Sequence, residues 1–127
     1  MKYYFAYGSN MFSVQMRRRC PECRKIGRAQ LRGYRWIITT RGYANIICAE
    51  QEVVEGVLYE ISTADEAALD EYEGVAAGCY FKKTLAVCHE GKEIEAMVYI
   101  DPTVCEGEPR EEYVGRMTAA LREADLS

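Results

Sequence analysis

Histidine is nearly missing from this chain: His89 is the only one in 127 residues. Ser-His-Asp and Cys-His machinery both need an oriented imidazole. This one falls in the hydrophilic stretch His89-Glu90-Gly91-Lys92, where it reads as a solvated turn residue. There is no phosphate loop ending in Lys-Ser/Thr, no Gly-x-Gly-x-x-Gly after a strand and no carboxylate-rich metal loop, so nucleotide and metal-ion chemistry lack their usual handles. No uncharged run approaches the roughly 18 residues that a membrane-spanning helix needs. The start, Met1-Lys2-Tyr3-Tyr4-Phe5-Ala6-Tyr7-Gly8, carries one positive charge but neither a long apolar region nor a small-residue cleavage site, so a cytoplasmic protein is expected. Three prolines beside ten glycines exclude collagen-like and low-complexity architectures.

What is present suits a packed fold. The chain is 49% hydrophobic and 28% charged, and its length points to a single domain spanning residues 1–127. A domain of this size buries about two-thirds of its unfolded surface and needs no covalent staple. The six cysteines, Cys20, Cys23, Cys48, Cys79, Cys88 and Cys105, are therefore read as reduced thiols rather than a disulfide framework. Cys20-Pro21-Glu22-Cys23 has the spacing of half a zinc site or a redox pair, but no second pair completes it. A buried thiol behaves as a small hydrophobe, and neither a metal nor a cofactor is expected.

The net charge of −4 hides an asymmetry. Residues 1–41 hold ten lysines and arginines against the single acid Glu22, whereas residues 42–127 hold six against nineteen acids. Such a split fits a polyanion-binding face, two halves that attract each other in the folded state, or an anion pocket in an otherwise acidic protein. General nucleic-acid affinity would rest on the Arg17-Arg18-Arg19 cluster, and no nucleic-acid partner is expected.

Lys2 to Ala6 reads as a first strand, ended by the turn Tyr7-Gly8-Ser9-Asn10. A helix follows up to Pro21, with Ser9, Asn10 and Ser13 as candidate N-caps. The β-branched and aromatic runs Ile26 to Leu31 and Tyr34 to Thr39, separated by Arg32-Gly33, then Asn45 to Ala49 and Glu55 to Ile61, read as strands, the last of them central. Thr63-Ala64-Asp65-Glu66 matches a capping box opening a helix with a buried stripe of Ala64, Ala68, Leu69 and Tyr72, stopped by Gly74. Phe81 to Cys88 and Ile94 to Ile100 form a β-hairpin about His89-Glu90-Gly91-Lys92. A last helix opens at Pro109 to Arg110 and uses Tyr113, Met117, Ala120, Leu121 and Ala124. Strands outnumber helices without alternating with them, so the expected class is α+β around a curved or barrel-like sheet.

Two segments are left to carry chemistry. At a strand-to-helix junction, the backbone amides of Tyr7-Gly8-Ser9-Asn10 suit a carboxylate or an oxyanion, and glycine permits its close approach. An ordinary capped turn explains the same residues. In Leu69-Asp70-Glu71-Tyr72-Glu73-Gly74, Asp70 and Glu71 fit a solvated acidic face. Glu73 is different: it has the wrong sign for a helix C-terminus. Dipole, neighbouring acids and partial burial would all raise its pKa toward a value suited to proton exchange near neutrality.

Four segments taken together resemble the gamma-glutamylcyclotransferase-like family, which includes gamma-glutamylamine cyclotransferases and AIG2-like proteins. They are Tyr4-Phe5-Ala6-Tyr7-Gly8-Ser9-Asn10-Met11, Val54-Glu55-Gly56-Val57-Leu58-Tyr59-Glu60-Ile61, Leu69-Asp70-Glu71-Tyr72-Glu73-Gly74-Val75 and Gly78-Cys79-Tyr80. The resemblance covers nearly the whole chain. It implies a small mixed β-barrel-like sheet with about three flanking helices, the Tyr7, Gly8, Ser9, Asn10 loop binding substrate, Tyr80 and Tyr113 as pocket residues, and Glu73 as catalytic acid/base. The implied reaction cyclises a small gamma-glutamyl amide to 5-oxoproline. A non-catalytic ligand-binding module of the same fold, and a polyanion-binding protein using Arg17, Arg18, Arg19 and Arg24, are the competing readings.

Overall fold

The computed structural model describes residues 2–103, 107, 118–120 and 123. Among the described residues up to 103, five strands and two helices follow in the order β1 (Lys2–Ala6), α1 (Ser13–Arg19), β2 (Arg24–Ile38), β3 (Ala44–Ile61), α2 (Thr63–Glu73), β4 (Phe81–His89) and β5 (Lys92–Ile100). The strands close into a barrel in the order β1-β3-β2-β4-β5. Pairing is antiparallel except where β1 meets β5, parallel, at Tyr4 and Met97. The mixed, barrel-like α+β fold expected from the resemblance is therefore the observed one. Residues 118–120 are helical; the rest of the helix expected from Arg110, Tyr113 included, lies outside the described residues.

The runs read as four separate strands are two long ones. β2 and β3 pair from Arg24↔Glu60 to Ile38↔Ala44. At Arg32-Gly33, where the sequence suggested a break, the register slips: Arg32 pairs with Val53 but Tyr34 with Cys48. Gly33 (φ +86°) and Gln51 (φ +69°) take positive φ at this slip, so the ladder bends there instead of ending. β3 is central, as expected, lying between β1 and β2.

The core fills the barrel. Phe5, Leu31, Ile46, Val54, Val57, Leu58, Tyr59, Ile61, Val87 and Val98 are almost wholly buried. Gly56 is required by close approach: a Cβ there would lie 2.5 Å from the Ala6 carbonyl oxygen and 2.6 Å from Phe5 Cζ. β4 and β5 meet at the two-residue turn Glu90-Gly91, both at positive φ, which matches the right-handed twist of the strands. His89 is less solvated than expected. It ends β4, its side chain is 15% exposed, and Nδ1 lies 2.8 Å from the Arg28 carbonyl oxygen.

The helices start differently from the sequence expectation. Ser9–Met11 form a 3₁₀ turn, and the residue before α1 is Phe12, which supplies no side-chain cap. Glu123 takes over instead, accepting from the Ser13 backbone N–H at 2.8 Å and from its hydroxyl at 2.5 Å. In α2 the box is shifted by one residue: Ser62 is the N-cap and Asp65 its reciprocal partner. The buried face of α2 consists of Asp65 and Leu69, whereas Ala64 is exposed and Tyr72 is 60% exposed. Tyr72 thus leaves the expected stripe. Ser62→Ala should lower the free energy of unfolding by about 1 kcal/mol in urea titration, while Thr63→Ala changes it by less than about 0.5 kcal/mol.

Candidate active site

Tyr7, the residue after β1, is fastened twice. Its hydroxyl donates to the Tyr99 carbonyl of β5 at 2.5 Å, and its own carbonyl accepts from Trp36 Nε1 of β2 at 2.9 Å. Gly8 then leads into the 3₁₀ turn Ser9–Met11, whose first amides have no carbonyl partner within the turn. A cavity of about 320 Å³ opens beside it, lined by Tyr4, Tyr7, Gly8, Ser9, Asn10, Arg19, Arg41, Tyr43, Ala44, Tyr72, Glu73, Gly74, Cys79, Tyr80 and Tyr99. Every expected site residue that is described, namely Tyr7, Gly8, Ser9, Asn10, Glu73 and Tyr80, lines this one cavity.

Glu73 is the last residue of α2, held at the cavity by Gly74 in the left-handed conformation (φ +66°). The Gly74 and Val75 amides cap the helix by donating to Glu71 and Asp70 carbonyls. Asn10 connects Glu73 to the loop. Its Nδ2 donates to the Tyr4 hydroxyl at 3.0 Å and approaches Glu73 Oε1 at 3.5 Å, while its Oδ1 accepts from Gln15 at 3.0 Å and from Arg19 at 2.9 Å. Burial pushes the Glu73 carboxyl up to about 7, against the opposing pull of the Arg19 and Arg41 guanidiniums. The direction matches the sequence expectation, and of the causes expected there, burial is the one at work, with no contribution from the neighbouring acids. Burial also raises the Tyr4 and Tyr99 hydroxyls, which stay protonated and neutral, Tyr4 accepting from Asn10 Nδ2 and Tyr99 donating to Asp70.

Asp70, read as a solvated acid, is instead partly buried: it accepts from the Tyr99 hydroxyl at 2.6 Å and from Lys82 at 2.9 Å. Glu71 is exposed, as expected. Tyr80 donates to the Ala44 carbonyl at 3.3 Å. The arginines of the basic third disperse. Arg17 and Arg18 are exposed, Arg19 turns into the cavity with its guanidinium 4.5 Å from the Tyr72 ring centre, and Arg24 pairs with Glu60 at 3.0 Å.

Cys20, Cys23, Cys48, Cys79 and Cys88 are free thiols. Burial drives Cys20 up to about 12, which leaves it protonated and unreactive. No group of three or more His, Cys, Asp or Glu side chains suited to a metal occurs among the described residues. No helix among them is long and apolar enough to cross a membrane.

Sequence reasoning overlooked Tyr4, Arg19, Arg41, Tyr43, Cys79 and Tyr99. Tyr99 was legible in principle, since it shares a strand face with the barrel-closing Met97 by the two-residue period of β5. Arg41 carries no local signal, because only the fold brings the β2–β3 loop to the cavity.

The fold and cavity are those of a closed mixed barrel with a glycine turn after its first strand and a part-buried glutamate at a helix end. The chain matches the family described as Gamma-glutamyl cyclotransferase, AIG2-like, over residues 4–116, and belongs to that family. It is 30% identical to the gamma-glutamylcyclotransferase of Homo sapiens and 31% identical to that of Mus musculus, in each case over 76% of this chain and 57% of the relative. The chain thus spans little more than half the length of these relatives. A solved structure titled gamma-glutamyl cyclotransferase is 25% identical and superposes with a TM-score of 0.89, covering 98% of this chain and 80% of that one.

Because the folded state holds the Glu73 proton more tightly than the unfolded chain does, its contribution to stability is lost as pH rises from about 4.5 to about 7. Glu73→Gln does not titrate. Its stability relative to the wild type should therefore improve by about 2–3 kcal/mol between pH 4.5 and 7.5, measured by urea denaturation of both proteins at each pH.

Proposed function

We propose that this chain is a gamma-glutamyl cyclotransferase, converting a gamma-glutamyl amide to 5-oxoproline with release of the amine. The observation that carries the reading is one carboxyl, Glu73, buried on the wall of a cavity beside the Gly8 turn and held near neutrality. Such a substrate contains its own nucleophile, so cyclisation needs no attacking water and no covalent enzyme intermediate. The site has only to fold the glutamyl chain and move a proton.

In this mechanism the amides of Gly8, Ser9 and Asn10 hold substrate oxygens at the mouth of the 3₁₀ turn. Ionised Glu73 takes a proton from the α-ammonium group. The freed amine attacks the gamma-carbonyl carbon, forming the ring C–N bond; Glu73 gives its proton to the departing nitrogen as the bond to it breaks, then takes the second surplus proton from the ring nitrogen and passes it to the released amine, which leaves as its ammonium while the ring nitrogen keeps one hydrogen. One carboxyl serves both transfers because its affinity for the proton lies close to the ambient pH. Tyr80 and Tyr113 are proposed pocket residues for the glutamyl group, on the strength of the family resemblance.

The test is 5-oxoproline release from a panel of gamma-glutamyl amino acids and gamma-glutamyl amines. Glu73→Gln should lower the rate at least about a hundredfold with folding preserved. Wild-type kcat/KM should rise with pH through about 7, as Glu73 ionises. Near-normal release by the variant would remove Glu73 from the mechanism; no release from any panel member by folded wild type would favour a ligand-binding module.

A further inference from the structure

We propose that Tyr4 is a further catalytic residue, whose hydroxyl donates to the gamma-carbonyl oxygen of the substrate as negative charge gathers there. The inference rests on the cyclotransferase reading and adds to it the group that stabilises the tetrahedral stage of the reaction.

Tyr4 lies at the seam of the barrel, where β1 pairs with Tyr59 of β3 on one side and with Met97 of β5 on the other. Its ring is held by two neighbours, stacked on Tyr59 at 6.4 Å between ring centres and edge-on to Tyr99 at 5.7 Å. The side chain is buried, and it lines the cavity. Its hydroxyl oxygen accepts from Asn10 Nδ2 at 3.0 Å, but its own O–H has no acceptor among the described residues. Buried donors are paired almost without exception. One that lacks a protein acceptor on a cavity wall is suited to an oxygen of whatever enters the cavity.

The hydroxyl also ends a polarised chain. The Arg19 guanidinium and Gln15 donate to Asn10 Oδ1 at 2.9 and 3.0 Å, and Asn10 Nδ2 donates in turn to Tyr4. Each bond draws electron density from the next donor, so the Tyr4 O–H is a stronger donor than an isolated phenol. Burial and the charge of Glu73 keep its proton in place, and the group donates without ionising.

Position favours the gamma-carbonyl oxygen over the substrate's other oxygens. Asn10 Nδ2 lies 3.0 Å from the Tyr4 hydroxyl and 3.5 Å from Glu73 Oε1, so the two groups face one small region of the cavity. Glu73 serves both nitrogens that bond to the gamma carbon, and the oxygen on that carbon therefore lies beside it. As the α-amine attacks, the C=O π pair moves onto oxygen; Tyr4 strengthens its hydrogen bond to the oxyanion and keeps its proton. The pair returns to re-form C=O as the departing nitrogen leaves. Glu73 is protonated and neutral when the oxyanion forms, so it neither repels that charge nor competes for the Tyr4 donor.

Tyr4→Phe removes the hydroxyl alone. On the panel compounds that wild type cyclises, it should lower kcat about a hundredfold and leave KM within about threefold, with folding checked by circular dichroism. A role exercised only through Asn10 and Glu73 would move the pH dependence of kcat/KM, which should instead keep its rise through about 7. The ring carbonyl of the product is the former gamma-carbonyl, so 5-oxoproline labelled there with heavy carbon reports the same contact by infrared difference spectroscopy. Its stretch should lie at lower frequency on wild type than on Tyr4→Phe. It should fall further on protein carrying 3-fluorotyrosine in place of Tyr4, which keeps the hydroxyl and makes it a stronger donor. If Tyr4→Phe does not fold, the comparison of wild type with the fluorinated protein decides. Equal frequencies in those two, a Tyr4→Phe kcat within about threefold of wild type, or a displaced pH profile overturns the proposal and leaves the cyclotransferase reading intact. A wild type that cyclises no panel compound contradicts that reading, and the role of Tyr4 falls with it.

Discussion

The site depends on two elements of matched length starting together. Lys2 of β1 pairs with Ile61, the last residue of β3, and its ammonium bonds Glu66 in the first turn of α2. From that common origin, five residues of strand and eleven of helix each advance roughly 16 Å. Their far ends consequently meet, bringing the turn after β1 to the glutamate that ends α2, with Asn10 and Glu73 in contact at 3.5 Å. Since β1 also closes the barrel against β5, the site sits where the sheet is most constrained. Tyr7 extends that constraint one residue further, to β5 through its hydroxyl and to β2 through its carbonyl.

Within this frame the proton affinity of Glu73 results from opposed effects. Desolvation alone favours the neutral acid, and two nearby guanidiniums favour the carboxylate. The remaining surroundings are neutral hydroxyls and amides: Tyr4, Tyr99 and the Asn10 side chain. Asn10 is suited to its place because its Nδ2 faces Tyr4 and Glu73 while its Oδ1 is claimed by Arg19 and Gln15. Four side chains thus orient one amide. An aspartate at position 10 would reverse the donor toward Glu73 and add a like charge beside it.

Local signals in the sequence located the strand runs and the hairpin at Glu90-Gly91, and singled out the loop and the glutamate that meet in the cavity, to which only the family resemblance gave roles. They failed where tertiary contacts override local preference. The bend at Gly33 reads as an end because glycine marks both, and only the long ladder from Arg24 to Ile38 distinguishes them. Ser62 and Thr63 are adjacent hydroxyls with acids at the right offsets, and the choice falls on Ser62 because Asp65, buried at 1% exposure, also accepts from the Glu22 N–H. Tyr72 fits an apolar stripe by spacing, but Arg19 gives its ring a partner at the cavity edge. The cap on α1 comes from Glu123, more than one hundred residues away, where no window on the sequence would find it.

Part of the charge asymmetry is taken up by attraction between the two halves of the folded chain. Lys2–Glu66, Arg24–Glu60, Lys25–Glu123 and Arg41–Asp101 each join the basic first third to the acidic remainder. Most of these lie in solvent, where an ion pair contributes little to stability. Arg41–Asp101 is different, because its anion is removed from water completely and removing either partner alone leaves an uncompensated charge. A buried pair of this kind is a poor stabiliser compared with apolar packing, so its presence beside a cavity is better explained by what it orients. Arg41 and Arg19 both line the cavity, facing the Glu73 carboxyl, in a protein of net charge −4. Charges inside the cavity are screened by salt less than those of the solvent-exposed pairs, so the balance that sets the Glu73 proton affinity is struck locally, between its desolvation and the two guanidiniums.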